Sequence, residues 1–285
     1  DRGGDWSSDV CSSDLGQNLK KKKLFSLKKE EKENLTSIIN KQKEFLSNDT
    51  LIKTNPFLSK YCDVMKLNLC SDNSFYTNNN NVTIFTDGKS KFDQLKKNLE
   101  DAKVFIHMEY YIFQNDNLGG NILEILCRKA KEGVEVKLLY DGMGCLKVHK
   151  NFFAPLIEAG GKVSCFFPPF LPYINLRVNF RNHRKICTID GKYGYIGGFN
   201  IGDEYLGLSK KFGFWRDTHL FIQGDALDAL QLHFLMDWRF ASKENSVFDD
   251  KYFPHRPHLG KTGLQIVSSG PDSKIGRASC RERVS

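Results

Sequence analysis

From residue 81 onward the chain alternates short apolar runs with amphipathic segments, and this alternation constrains its fold more than any other feature. Runs at 82–85, 103–113, 134–140, 162–167, 183–189, 193–196 and 218–222 have the length and residue types of strands. Between them, Phe92, Leu95 and Leu99 fall on one face of a helix over 92–101, and further helices are predicted over 118–131, 152–159 and 225–240. Gly133 and the Gly160-Gly161 pair stop two of these helices. Asp87-Gly88 reads as a turn, and Asp190-Gly191 closes a hairpin between 183–189 and 193–196. Strands interleaved with helices predict an α/β sandwich around a largely buried sheet.

The segments outside this region are different. WSSDVCSSDL (residues 6–15) and IGRASCRERV (275–284) match the translations of two sequencing-library adapters, so residues 1–15 and 275–285 are read as assembly artefacts. A chain flanked in this way is expected to be a fragment. Removing a head of net charge −3 and a tail of net charge +2 moves the formal charge from +8 to +9. Most of that charge lies in residues 20–43, where nine lysines face three glutamates. Such a block suits a solvated helix face or a position beside an anionic membrane, where each lysine contributes on the order of 1 kcal/mol. Residues 16–80 are therefore read as a basic helical leader, with helical spacing over 35–46, a second helix near 57–69 and a polar linker at 78–81. The catalytic region is expected over 81–274. No run of eighteen apolar residues occurs, so none of these residues forms a transmembrane helix. Six cysteines remain between the ends, none in a CxxC pair, which fits a reducing compartment and gives no metal site.

The chemistry concentrates in NHRKICTIDGKYGYIGGFNIGDEYLG, residues 182–207. His183 and Lys185 are two apart, so on a strand they face one side. A neutral imidazole beside an ammonium suits attack on a phosphate, with lysine neutralising the non-bridging oxygens. Gly197 and Gly198 permit close backbone approach, and Asn200 can donate a hydrogen bond. Taken alone, His183 reads as a packed strand histidine. The constellation at fixed spacing favours catalysis. The apolar, proline-broken stretch PPFLPYINL (168–176) fits either packing of a long loop or the entrance wall of an apolar substrate.

HxK, four residues, Asp, six residues and GGxN together resemble the signature of the phospholipase D superfamily. IHMEYYIF (106–113), KAKEGVEVKLLYDGMG (129–144), FWRDTHLFIQG (214–224) and LQIVSSGPDS (264–273) are similar to the amino-terminal catalytic half of bacterial cardiolipin synthases. The resemblance implies a sandwich of a mixed, largely parallel sheet flanked by helices, one lobe of a two-lobed enzyme. It implies phosphatidyl transfer between two phosphatidylglycerol molecules, through a phosphohistidine on His183, giving cardiolipin and glycerol without a cofactor or metal. His183, Lys185 and Asp190 would form the catalytic motif, although a turn aspartate such as Asp190 also reads as structural. Lys185, Asn200 and Gly198 would hold the substrate phosphate. Asp217 would accept a hydrogen bond from His183 and set its tautomer, and Glu109 would line the pocket, while His107 of the same parity reads as a packed strand residue. The family uses two such motifs, and no second HxK occurs in this chain, so it is expected to be inactive as a monomer.

The implied partners are phospholipid, a membrane surface and the missing carboxy-terminal half, on the cytosolic face of a bacterial cytoplasmic membrane with the anchor outside this chain. Two other readings stay open. One is a single-motif nuclease or phosphodiesterase acting as a homodimer, which the net charge allows but its concentration before residue 80, away from the motif, disfavours. The other is an inactive fragment that only binds membranes or partners.

Overall fold

The computed structural model describes residues 29–48, 52, 55–166, 168, 181–208, 213–244 and 249–268. The stretch at 168–176 lies, apart from Pro168, outside the described residues.

The chain divides into two compact units, one made of Asp1–Tyr76 with Gln265–Ser285 and the other of Thr77–Leu264. In the first, helices α1 (Lys29–Ser47) and α2 (Pro56–Asp72) pack through Leu46, Leu58, Met65 and Leu69. Gln42 ties α1 to Tyr76, donating to its carbonyl at 3.0 Å and accepting from its amide at 3.3 Å. Gln265 joins this unit because its amide donates to the carbonyls of Met65 and Ser74, at 2.9 and 2.8 Å. The divisions between the units fall at 76/77 and 264/265.

The second unit carries seven strands: β1 (Asn80–Asp87), β2 (Phe105–Tyr110), β3 (Glu135–Asp141), β4 (Lys162–Phe166), β5 (Lys185–Ile189), β6 (Tyr193–Gly197) and β7 (Arg216–Gly224). Helices α3 (Gly88–Glu100), α4 (Asn117–Lys131), α5 (Ala154–Glu158) and α6 (Ala226–Ser242) accompany them. The strand order is β1-β7-β6-β5-β2-β3-β4. This is the α/β sandwich that the alternation predicts, with the helix-flanked mixed sheet that the resemblance implies. The sheet is not, however, largely parallel: only β2–β3 and β3–β4 are parallel, and the other four neighbouring pairs are antiparallel. The reason is local. Helical crossovers connect β2, β3 and β4, whereas β5 and β6 form a hairpin that docks antiparallel onto β2.

Strand β2 is buried on both sides and divides the core. Ile106, Met108 and Tyr110 face the apolar cluster of α3, α4 and α5, with Phe92, Leu95, Ile122 and Leu126. Phe105 faces the α6 cluster of Phe234, Leu235 and Trp238. His107 stacks on Phe234 of that side with ring centroids 4.6 Å apart, so it is a packed core residue.

One turn-like reading needs correction. Asp87-Gly88 is a helix start: Asp87 caps α3, its carboxylate accepting from the Ser90 amide at 2.8 Å. A Cβ on Gly88 would overlap the Tyr205 carbonyl, which explains the glycine. The polar stretch at 78–81, read as a linker, runs into β1 at Asn80. Asn80 is fully buried, its amide donating to Thr77 and Thr262 and accepting from the Ala226 amide, so this asparagine anchors the edge strand β1.

Candidate active site

The parallel strands β2 and β3 end at Tyr110 and Asp141, and antiparallel pairing sets the start of β5 beside them, Lys185 opposite Tyr110. The carboxyl edge of parallel strands is where an α/β sheet forms a crevice. The segment 181–184 enters β5 along this edge, and the β6–β7 pairing brings Gly197 opposite His219, so residues 197–200 and Asp217 reach the same edge.

His183 is exposed at this rim, against the Tyr111 ring with centroids 4.7 Å apart. Lys185 is buried beneath it, with Nζ 3.1 Å from His183 Nδ1 and donating to the His183 carbonyl at 2.7 Å. Burial brings the Lys185 ammonium down to about 8, against the pull of the Asp217 carboxylate. Partial burial, then the Lys185 charge, hold the imidazole below its usual range, with the Asp141 and Asp217 carboxylates opposing them. The result is a neutral imidazole beside a cation: a lone pair and a positive charge at one edge, the pair that attack on a phosphodiester requires.

The remaining sequence-derived candidates fall into four groups. Asn200 reaches the edge and is buried, its Oδ1 accepting from the Ile112 amide at 3.0 Å and its Nδ2 donating to the Tyr205 hydroxyl at 2.9 Å. Its Nδ2 makes no second hydrogen bond among the described residues.

Gly198 and Asp217 also reach the edge, but not in the roles expected of them. The Gly198 amide donates to the Thr218 carbonyl at 2.9 Å and is not turned toward a phosphate. A Cβ there would overlap the Asp217 carboxylate, so the glycine makes room for that side chain. Asp217 does not hydrogen-bond His183. Its Oδ1 takes the Thr218 amide at 2.7 Å, while Lys185 occupies the approach to His183 Nδ1. Asp217 acts on the imidazole and on Lys185 through its charge.

Asp190 lies at the opposite end of β5 and does not belong with the catalytic pair. It sits in the hairpin turn with φ of 52°, and its carboxylate accepts from the amides of Lys103, Val104 and Phe105, each at 2.8 Å. It fastens the hairpin to the start of β2.

Glu109 lies under the site, buried, with Oε1 accepting from Asn182. Burial, then the neighbouring Asp237, push its carboxyl well above the usual range.

Sequence reasoning passed over Asp141, Asn182, Arg184 and Asp237. Asp141, at the end of β3, accepts from the amides of Met143 and Gly144 at 2.8 and 3.2 Å and from that of Asn182 at 3.1 Å. An aspartate closing an apolar strand before Gly-x-Gly was the available signal. Asp237 gave none, because it stands inside an apolar helix 55 residues from its partner Asn182. Among the described residues no cluster of three or more His, Cys, Asp or Glu side chains could hold a metal ion.

Residues 95–237 match the family model described as cardiolipin synthase, PLD-like domain. The cardiolipin synthase of Staphylococcus aureus (strain Mu50 / ATCC 700699) is 47% identical over 261 residues, covering 91% of this chain and 53% of that protein. That of Listeria monocytogenes serotype 4a (strain HCC23) is 47% identical over 261 residues, covering 91% and 54%. The chain therefore spans about half the length of the curated relatives it matches. The solved structure of Nuc, a phospholipase D family member from Salmonella typhimurium, aligns at 16% identity with a TM-score of 0.41, covering 57% of this chain and 96% of that one. With half its length matched by that family model, and the histidine–lysine pair at the sheet edge, the chain belongs to the cardiolipin synthase family of phospholipase D-like domains.

Proposed function

We propose that this chain supplies the nucleophilic half of a phosphatidyl transfer in which two phosphatidylglycerol molecules become cardiolipin and glycerol. The observation that carries the reading is the exposed, neutral His183 with the Lys185 ammonium 3.1 Å from its Nδ1. An imidazole nitrogen of His183 attacks the phosphorus of phosphatidylglycerol. The bond to the terminal glycerol oxygen breaks, and that alkoxide takes a proton from a general acid. The hydroxyl of a second phosphatidylglycerol then gives its proton to the conjugate base of that acid, attacks the phosphorus and breaks the P–N bond, restoring both His183 and the acid.

Lys185 and the remaining Nδ2 hydrogen of Asn200 hold the non-bridging oxygens. As a phosphate draws Lys185 from Nδ1, that nitrogen is freed and the Asp217 carboxylate stabilises the imidazolium that develops. The general acid belongs to a second motif, which this sequence does not contain. General acid catalysis contributes roughly 10²–10⁴-fold, so the chain alone at monomeric dilution is expected to turn over nothing measurable. The reaction is placed on the cytosolic face of a bacterial membrane, with the lysines of residues 20–43 drawn to anionic lipid. No helix among the described residues is long and apolar enough to cross a membrane, so anchoring is assigned to sequence outside them.

The test mixes the 285-residue chain with the carboxy-terminal half of the Staphylococcus aureus relative and phosphatidylglycerol vesicles. Cardiolipin and glycerol are expected from the mixture, an acid-labile adduct on His183, and neither with His183→Ala. Turnover by the monomeric chain alone would overturn the half-site reading. Cleavage of DNA without lipid transfer would favour a nuclease.

A further inference from the structure

Residues 182–184 carry a second group of ionisable side chains, on the side away from the imidazole. Glu109 of β2 and Asp237 of α6 are buried, at 1% and 3% exposure. Asn182 donates through Nδ2 to both, to Glu109 Oε1 and to Asp237 Oδ2 at 3.2 Å. Arg184 forms an ion pair with the same Asp237 oxygen. Asn182 Oδ1 in turn accepts from the Arg184 backbone amide at 3.1 Å. Sharing the one Asn182 nitrogen sets the Glu109 and Asp237 carboxyls side by side, and Glu109 Oε2 is buried with no hydrogen-bond partner among the described residues. His233, also on α6, feels both Arg184 and Asp237 and is held neutral by burial.

Two buried carboxyls in contact cannot both stay ionised, and Arg184 balances only one of them. A buried carboxylate oxygen without a donor is a rare and costly arrangement. A protonated carboxyl removes the conflict, because it supplies the missing proton itself and donates to its neighbour.

We propose that Glu109 and Asp237 hold one proton between them, carried by Glu109, and that this acid pair positions His183 by fastening its two neighbours, Asn182 and Arg184. In an extended segment alternate side chains point to opposite sides, so anchoring 182 and 184 below fixes the backbone that presents 183 above. The same backbone offers the His183 carbonyl that Lys185 engages at 2.7 Å. Glu109 and Asp237 are positioning residues. Their catalytic meaning rests on the reading of His183 as the nucleophile, but the shared proton does not.

The experiment uses the full 285-residue chain with Glu109→Gln, Glu109→Ala and Asp237→Asn. At neutral pH the wild-type infrared spectrum is expected to show the carbonyl stretch of a protonated carboxyl, shifted in D₂O and missing in Glu109→Gln. Nitrogen-15 NMR of the His183 ring reads the positioning. Glutamine copies a protonated glutamate, accepting from Asn182 and donating to Asp237, so the His183 titration should stay in place in Glu109→Gln. It should move by about half a unit or more in Glu109→Ala and in Asp237→Asn. Absence of the carboxyl band overturns the shared proton. A His183 titration that moves in Glu109→Gln, or is unmoved in Asp237→Asn, overturns the positioning role. If Glu109→Ala fails to fold, the other two variants still decide. Neither readout needs turnover, so a failure of the transfer reading, seen as activity surviving in His183→Ala, is separate from a failure here.

Discussion

The same sheet carries two clusters built from the same residue types, and they reach opposite states. His107, Glu135 and Lys137 form one, and His183, Lys185 and Asp217 the other. His107 is fully buried, with Nε2 3.1 Å from Glu135 and Nδ1 2.8 Å from the Gln231 amide nitrogen. Glu135 also pairs with Lys137 at 3.0 Å and Lys251 at 2.9 Å. Burial pushes the His107 imidazole down to about 4, so it takes up no second proton at neutral pH, and both of its nitrogens are engaged. His183 has a polar partner on Nδ1 only, among the described residues, and its ring is exposed. The difference teaches that the residue set does not make a site. A cluster whose valences are all filled is structural, and one left with a lone pair at the solvent edge is reactive.

The sharpest way to break this comparison is to remove each histidine. His183→Ala is expected to lose on the order of 10⁴-fold or more in transfer, the scale seen when an activated nucleophile is deleted. Because the ring is exposed, stability should stay within about 0.5 kcal/mol. His107→Ala should do the reverse, destabilising by about 2–4 kcal/mol through the lost stack on Phe234 and the stranded polar partners. The adduct yield per folded molecule should not change. Urea unfolding paired with adduct yield checks both, and a His107 variant that folds fully yet forms no adduct would erase the distinction.

Asp190 is the next largest case, because its motif position suggests chemistry and its geometry gives architecture. Its carboxylate satisfies three backbone amides at 2.8 Å, so Asp190→Ala is expected to cost about 3–5 kcal/mol. The Lys185 titration should be untouched in whatever fraction remains folded. If Asp190→Ala keeps its urea midpoint and loses only transfer, the residue belongs with His183 after all.

These cases show what was legible in the sequence. Periodicity and turn residues gave the order of strands and helices because each is a local property, carried by spacings such as Phe92-Leu95-Leu99. Strand direction was less legible. A hairpin that docks antiparallel onto β2 looks the same in sequence as one that does not. The HxK spacing reported His183 and Lys185 because two residues on one extended segment share a side. The Asp217–His183 hydrogen bond was misread because Asp217 takes the Thr218 amide while Lys185 stands at His183 Nδ1, an arrangement that only the fold decides. Asp237 was invisible, since its partners lie 53 and 55 residues earlier in the chain.

A smaller effect sharpens the electrostatic half of the comparison. With its ammonium at about 8, Lys185 is charged at neutral pH and loses that charge as pH rises through 8. Adduct formation should therefore fall on the alkaline side, approaching tenfold per pH unit. Lys185→Arg should lower the rate but remove this limb, because a guanidinium stays charged throughout. An alkaline limb that persists unchanged in the arginine variant would assign it to another group.

The smallest expected effect concerns Gly198. A Cβ at that position would overlap the Asp217 carboxylate, and the backbone beside it is held by the Thr218 carbonyl, so the side chain is the part that yields. Moving Asp217 away removes a charge that raises both His183 and Lys185. Gly198→Ala should therefore lower both titration midpoints, and the alkaline limb of the adduct profile should shift to lower pH with it. Asp217→Asn removes the same charge without moving backbone and should give the same shift. The two variants combined should add little to either alone, since both act through one carboxylate. Gly198→Ala leaving the Lys185 midpoint in place while Asp217→Asn moves it would mean that the glycine serves something other than this carboxylate, and that the rim around His183 is organised by backbone rather than by charge.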